Sequence, residues 1–170
     1  MVVAGITGAG KSTLAREIAG VLGLPFVELD AFVEGPRWSV LPDYPERITE
    51  MAAGESWVTD NLWYPEVEQV LLERADTVVW LDLPRGLVAR RLVRRTLRRG
   101  LPPRPVLVNG NKEHLWAALA QSSPLRTALR EHARYRSHLE GVLAVTKPSV
   151  LRLSSPSDVT SFVRGLSART

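Results

Sequence analysis

The chain has 170 residues, 45% of them apolar and 24% charged, the size of one ordinary domain with a core that needs no covalent staple. It has no cysteine, which excludes a disulfide framework, a Cys-ligated metal or cluster and a thiol nucleophile, and fits a reducing cytoplasm. The formal charge of +4 raises a nucleic-acid partner as a first idea.

The elements follow in chain order from periodicity and punctuation. Val2–Gly5 reads as a short buried strand and Thr13–Leu22 as a helix. Phe26–Leu29 is a second strand, and Glu46–Ala53 a helix stopped at Gly54. Trp57–Asp60 is a third strand. Pro65 suits the first turn of a helix reaching about Arg74. Thr77–Leu81 is a fourth strand, and Arg85–Arg99 a helix halted by Gly100 and two prolines. Leu115–Val142 reads as helix broken near Pro124, and Val150–Leu153 as a fifth strand. Ser155–Asp158 forms a capping box with Pro156 at the first helical position, opening a last helix with Phe162, Val163 and Leu166 inward. Strands alternating with helices imply one parallel sheet covered on both faces, in a single α/β domain spanning 1–170. No apolar run is long enough for a membrane span, and no signal peptide is expected.

Gly5-Ile6-Thr7-Gly8-Ala9-Gly10-Lys11-Ser12 matches G-x-x-x-x-G-K-[ST] between a strand and a helix. Glycines let the backbone wrap phosphate oxygens, and amides at the helix N-terminus point at them. Gly8, Ala9, Gly10, Lys11, Ser12 and Thr13 are the expected nucleotide-binding residues, although Thr13 also suits packing. Lys11 can reach the β- and γ-phosphates of ATP, and the Ser12 hydroxyl can ligate Mg²⁺. Three strands end at aspartates, Asp30, Asp60 and Asp82, where a parallel sheet places its ligands. Each can hold Mg²⁺ through water, accept the proton of an attacking hydroxyl, or cap the following helix. Asp82 precedes Leu83-Pro84, a helix start, and suits capping best.

Charge is unevenly placed. Residues 83–112 carry eight Arg, one Lys and no acid, a net +9, which leaves −5 on the rest of the chain. At 100° per residue Arg90, Arg91, Arg94, Arg95 and Arg98 share one sector, opposite Ala89, Leu92, Val93, Thr96 and Leu97. That stripe reads as a solvated face, as a lid over nucleotide phosphates, or as a nucleic-acid groove, the last without interleaved aromatics for stacking. Its +9 is better read as a local countercharge for a nucleoside triphosphate than as a surface for nucleic acid. Phe32, Trp38, Trp63 and Tyr64 follow strands two and three and either wall an acceptor or pack. His114, His132 and His138 have no metal spacing, and Arg126, Arg130 and Arg134 read as a solvated helix face.

The ordered motifs resemble the adenylate-kinase-related P-loop proteins, nearest the small bacterial branch labelled "DNA topology modulation". Gly5–Ser12, Leu29-Asp30, Gly35-Pro36-Arg37-Trp38, Trp57-Val58-Thr59-Asp60, Ala75–Pro84, the arginine helix, Asn109-Gly110-Asn111-Lys112-Glu113 and Leu151–Pro156 carry the resemblance. It implies a P-loop nucleoside/nucleotide-kinase fold, α/β with a five-stranded parallel sheet in the order 2-3-1-4-5 and an Arg-rich lid at about 85–113. It further implies that Asp60 holds Mg²⁺ through water, that Asp30 faces the acceptor, that Arg91 and Arg95 contact phosphates, and that Ser155 and Pro156 lie near adenine. Where the branch reads Asp-Gly-Asn-Tyr, this chain has Asp60-Asn61-Leu62-Trp63-Tyr64, which changes backbone freedom where an acceptor approaches.

The expected function is ATP- and Mg²⁺-dependent phosphoryl transfer to a small molecule, a nucleoside, nucleotide or specialised metabolite, in the cytoplasm. Lys11, Asp30, Arg91 and Arg95 are the expected catalytic residues, Ser12 and Asp60 the metal residues, and Asp30, Trp38 and Trp63 the acceptor residues. The alternative is an ATP-binding regulator or slow ATPase with a macromolecular partner. The acceptor, the base preference and the oligomeric state are left open by the residues alone.

Overall fold

A computed structural model describes residues 1–100, 107–111 and 124–168. The strands β1 (Val2–Gly5), β2 (Phe26–Glu28), β3 (Val58–Asp60), β4 (Thr77–Leu81) and β5 (Ser149–Leu153) form an all-parallel sheet in the order β2-β3-β1-β4-β5. The expected order is therefore the observed one. The helices are α1 (Lys11–Leu22), the single turn α2 (Asp30–Val33), α3 (Tyr44–Ala52), α4 (Pro65–Arg74), α5 (Arg85–Gly100), α6 (Pro124–Leu143) and α7 (Pro156–Ser167).

The core explains this order. Val2, Val3 and Ala4 of β1, Val58 of β3 and Val78 and Val79 of β4 are wholly buried, so the central strands are covered on both faces. The outer strands depart from that expectation: β2 is half-buried throughout, and β5 is exposed except at Leu153. An edge strand has a neighbour on one side only and is blunted by polar residues. On β5 that residue is Arg152, whose guanidinium lies 4.3 Å from the Trp80 ring centroid and donates to Asp82 Oδ2 at 2.6 and 2.9 Å. Arg136 of α6 approaches the same oxygen at 3.3 Å. Asp82 thus ties the ends of β4 and β5 to α6.

Two boundaries differ from expectation in ways that matter for function. Helix α1 begins at Lys11 rather than Thr13, because Gly10 takes the left-handed conformation (φ 100°) and turns the chain into the helix directly. Strand β2 stops at Glu28, and Leu29 is already helical, so Asp30 opens α2 rather than ending a strand. The capping box of α7 is present: Ser155 Oγ accepts from the Asp158 amide, and Asp158 accepts from the Ser155 amide at 2.9 Å. Phe162, Val163 and Leu166 pack against the core as expected. Residues 101–106 and 112–123, which include part of the expected lid, His114 and the start of the expected Leu115–Val142 helix, lie outside the described residues.

Candidate functional site

The carboxyl ends of all the strands lie at one edge, and the glycine-rich segment Gly5–Ser12 sits there between β1 and α1. At Gly8 φ is 88°, and an added Cβ would stand 2.5 Å from Leu92 Cγ. The loop needs glycine there for its conformation and because α5 crosses directly above it. Leu92 is fully buried in that crossing.

The crossing corrects the single arginine stripe. With Val88 and Leu92 pressed inward, the neighbouring positions divide. Arg91 and Arg95 turn toward the cleft and are half-buried, whereas Arg90, Arg94 and Arg98 face solvent. Val93 and Leu97, expected on the packing side, are exposed. Arg91 Nη1 donates to the Ala9 carbonyl at 2.6 Å, so its guanidinium rests on the loop itself. Arg95 is near enough to Lys11 for its charge to bear on that ammonium.

Lys11 faces two carboxylates. Burial lowers its pKa below the ordinary lysine value, Asp30 and Asp60 pull it back up, and Arg95 pushes it down. Asp60 is 2% exposed. It accepts a hydrogen bond from Ser12 Oγ on one oxygen and from the Leu29 amide at 3.3 Å on the other. A hydroxyl and a buried carboxylate are hard oxygen donors, and Mg²⁺ takes one or two carboxylates together with phosphate oxygens and water. The Ser12–Asp60 pair beside an anion-binding loop therefore fits that ion.

Asp30 lies on the β2–β3 side of Lys11. Its Oδ1 accepts from Tyr64 OH at 2.8 Å and from Asn61 Nδ2 at 3.3 Å. The sequence singles out Tyr64 as an acceptor wall or packing residue and Asn61 as a departure from the branch pattern, but their shared contact with Asp30 appears only where the segment after β3 meets α2. Trp63 rests on Tyr135 of α6, with ring centroids 4.9 Å apart, and keeps 44% of its surface exposed. Ser155 and Pro156 open α7, which packs beside α1 at the same edge of the sheet.

Trp38 stands further out, 47% exposed, at the tip of a small excursion. Residues 33–41 fold back on themselves through Leu41 N to Val33 O at 2.9 Å and Gly35 N to Ser39 O at 2.7 Å. At the tip Arg37 and Trp38 have φ of 57° and 61°, unfavourable for both residue types. Asn111 holds this tip from across the molecule. It is 4% exposed, donates Nδ2 to Gly35 O at 3.0 Å and accepts the Trp38 amide at 3.2 Å. Asn109 adds a donor to Glu34 O. Asn111→Ala leaves a donor and an acceptor unmatched and is expected to cost about 1–3 kcal/mol in urea unfolding. A cost below about 0.5 kcal/mol in that measurement would mean that water replaces both bonds.

No family model matches the chain. A shikimate kinase of Paramagnetospirillum magneticum is 29% identical over 138 residues, 72% of this chain and 68% of that protein. Among solved structures, a gluconokinase from Sinorhizobium meliloti aligns over 98% of this chain and 88% of its own, with TM-score 0.57 and 22% identity. A shikimate kinase from Acinetobacter baumannii in complex with shikimate aligns over 97% and 88%, with TM-score 0.59 and 19% identity. The chain has the P-loop kinase fold. These three proteins are small-molecule kinases by name, and the chain spans 68%, 88% and 88% of their lengths. In a P-loop kinase fold the cleft lies above the carboxyl edge of the sheet, where the loop, Lys11, Asp30 and Asp60 are found together.

Proposed function

We propose that the protein is an ATP- and Mg²⁺-dependent phosphotransferase acting on a hydroxyl or phosphate of a small molecule. The observation that carries this reading is the pair of carboxylates with different partners flanking Lys11. Asp60 is engaged by Ser12 of the loop, and Asp30 by Asn61 and Tyr64 of the segment that follows β3.

Gly8, Ala9, Gly10, Lys11, Ser12 and Thr13 bind the nucleotide phosphates, with Lys11 on the β- and γ-groups. Ser155 and Pro156 border the adenine. Ser12 and Asp60 hold Mg²⁺, which when bound neutralises charge on the phosphate oxygens. Arg91 and Arg95 place guanidinium donors where charge develops on the transferring group. Asp30 takes the proton of the acceptor hydroxyl as its oxygen bonds to the γ-phosphorus. The bond from that phosphorus to the β–γ bridging oxygen breaks, and ADP leaves. Trp38 and Trp63 border the acceptor. Residues 85–113 act as the lid segment of a single domain.

The ordered motifs support a place in the small "DNA topology modulation" branch, and the relatives support hydroxylated acids such as shikimate and gluconate as acceptors to try first. ATP as co-substrate favours the cytoplasm. Among the described residues no helix is long and apolar enough to cross a membrane.

The test is an ATP-consumption screen over shikimate, gluconate, nucleosides and nucleotides, with product detected by mass. Transfer to one of them supports the reading, and ATP turnover without any phosphorylated product counts against it. The exposed row Arg90, Arg94 and Arg98 supports a second reading, an ATP-dependent regulator of a polyanionic partner. Binding to nucleic acid that weakens with salt, with a slope reduced by loss of those three arginines, would favour it.

A further inference from the structure

The residue after β3 leaves the strand in a conformation that side chains rarely adopt. Asn61 has φ 94°, while its amide donates to Val3 O at 3.0 Å. Glycine would take this conformation without steric cost, so what asparagine adds at this position is its carboxamide. Both ends of that carboxamide are used. Nδ2 donates to Asp30 Oδ1 at 3.3 Å, and Oδ1 accepts the Trp63 amide at 3.1 Å.

Tyr64 donates to the same Asp30 oxygen at 2.8 Å. Its ring packs against Tyr44, centroids 5.8 Å apart, which fixes the direction from which the phenol arrives. Burial and then the Asp30 charge raise the Tyr64 pKa far above the ordinary tyrosine value, so the phenol keeps its proton and remains a donor. Among the described residues both hydrogen bonds to Asp30 fall on Oδ1 and none falls on Oδ2.

We propose that Asn61 and Tyr64 are positioning residues that fix Asp30 through Oδ1 and leave Oδ2 as the single oxygen that meets the acceptor hydroxyl. This rests on the reading of Asp30 as the acceptor-side base. A carboxylate held by one donor can turn about its last torsion and offer either oxygen. Held by two donors of fixed origin, it presents one lone-pair direction, and misplacement of a reacting group by about 1 Å can cost about a hundredfold in rate.

Asn61→Gly and Tyr64→Phe test the proposal by steady-state kinetics with MgATP and the acceptor panel named above, alongside thermal unfolding. N61G keeps the backbone conformation and removes only the carboxamide, so stability is expected to hold or rise while kcat falls about tenfold. Y64F is expected to lower kcat by a similar factor, with the acceptor KM within about threefold of wild type and the MgATP KM unchanged. Wild-type kcat in both variants overturns the proposal alone, as do losses that merely follow falls in unfolding temperature. A wild-type protein that phosphorylates nothing in the panel overturns the kinase reading and this proposal with it.

Discussion

Replacing Lys11 with methionine is expected to lower phosphoryl transfer by about a hundred- to a thousandfold, the usual effect of removing one preorganised charge partner from a transition state. Methionine keeps most of the aliphatic stem, so the loop between β1 and α1 retains its packing and the change is mainly one of charge. The same substitution carries an independent signature. Burial disfavours the charged ammonium in the folded protein. Between the lowered pKa and the ordinary 10.5, the unfolded chain binds more protons than the folded one, and stability therefore rises with pH. Lys11→Met removes that slope, which urea unfolding at several alkaline pH values would reveal. Nucleotide binding has the opposite dependence, because phosphate needs the proton on Lys11, and wild-type affinity should fall over the same range. Transfer that survives Lys11→Met would sink the mechanism.

Asp30→Asn is expected to reduce kcat by about a hundred- to ten-thousandfold, the range for loss of a general base. The variant is nearly isosteric. Its carbonyl oxygen can still accept from Tyr64 and Asn61, so the fold around α2 should persist. MgATP affinity near neutral pH should stay close to wild type. One further effect follows from electrostatics. Asp30 raises the Lys11 pKa, so removing its charge should move the alkaline loss of nucleotide binding to lower pH. A fluorescent nucleotide titrated at several pH values reads this without any acceptor. Activity retained by Asp30→Asn would remove the carboxylate from the chemistry.

Much of the fold was legible because it rests on local rules. The glycine-rich loop, the apolar runs of β1 and β4 and the capping box at Ser155 each follow from a few adjacent residues. The site was legible where a motif has a fixed spacing, as for Lys11 and Ser12. Legibility ended where an answer depends on distant partners. Helical periodicity placed five arginines on one face, but Leu92 settling onto Gly8 decides which of them turn to the cleft and which to water. Asp82, read from Leu83-Pro84 as a helix cap, instead pairs with Arg152 of β5 and Arg136 of α6, partners far along the chain that no local pattern supplies. Asn61 read as a departure from a glycine motif. The structure gives it a glycine-like φ together with a side chain that reaches Asp30.

Asn111 bears on how acceptor preference could be altered by design. The excursion that carries Trp38 is continuous in sequence, yet its shape is secured by an amide 73 and 76 residues away along the chain. Transplanting residues 30–44 from a relative would import a surface without the side chain that holds it. The smallest exchangeable module is therefore discontinuous, the excursion after β2 together with Asn109-Gly110-Asn111, and a chimera that respects that pairing is the one that should keep its fold while changing its substrate.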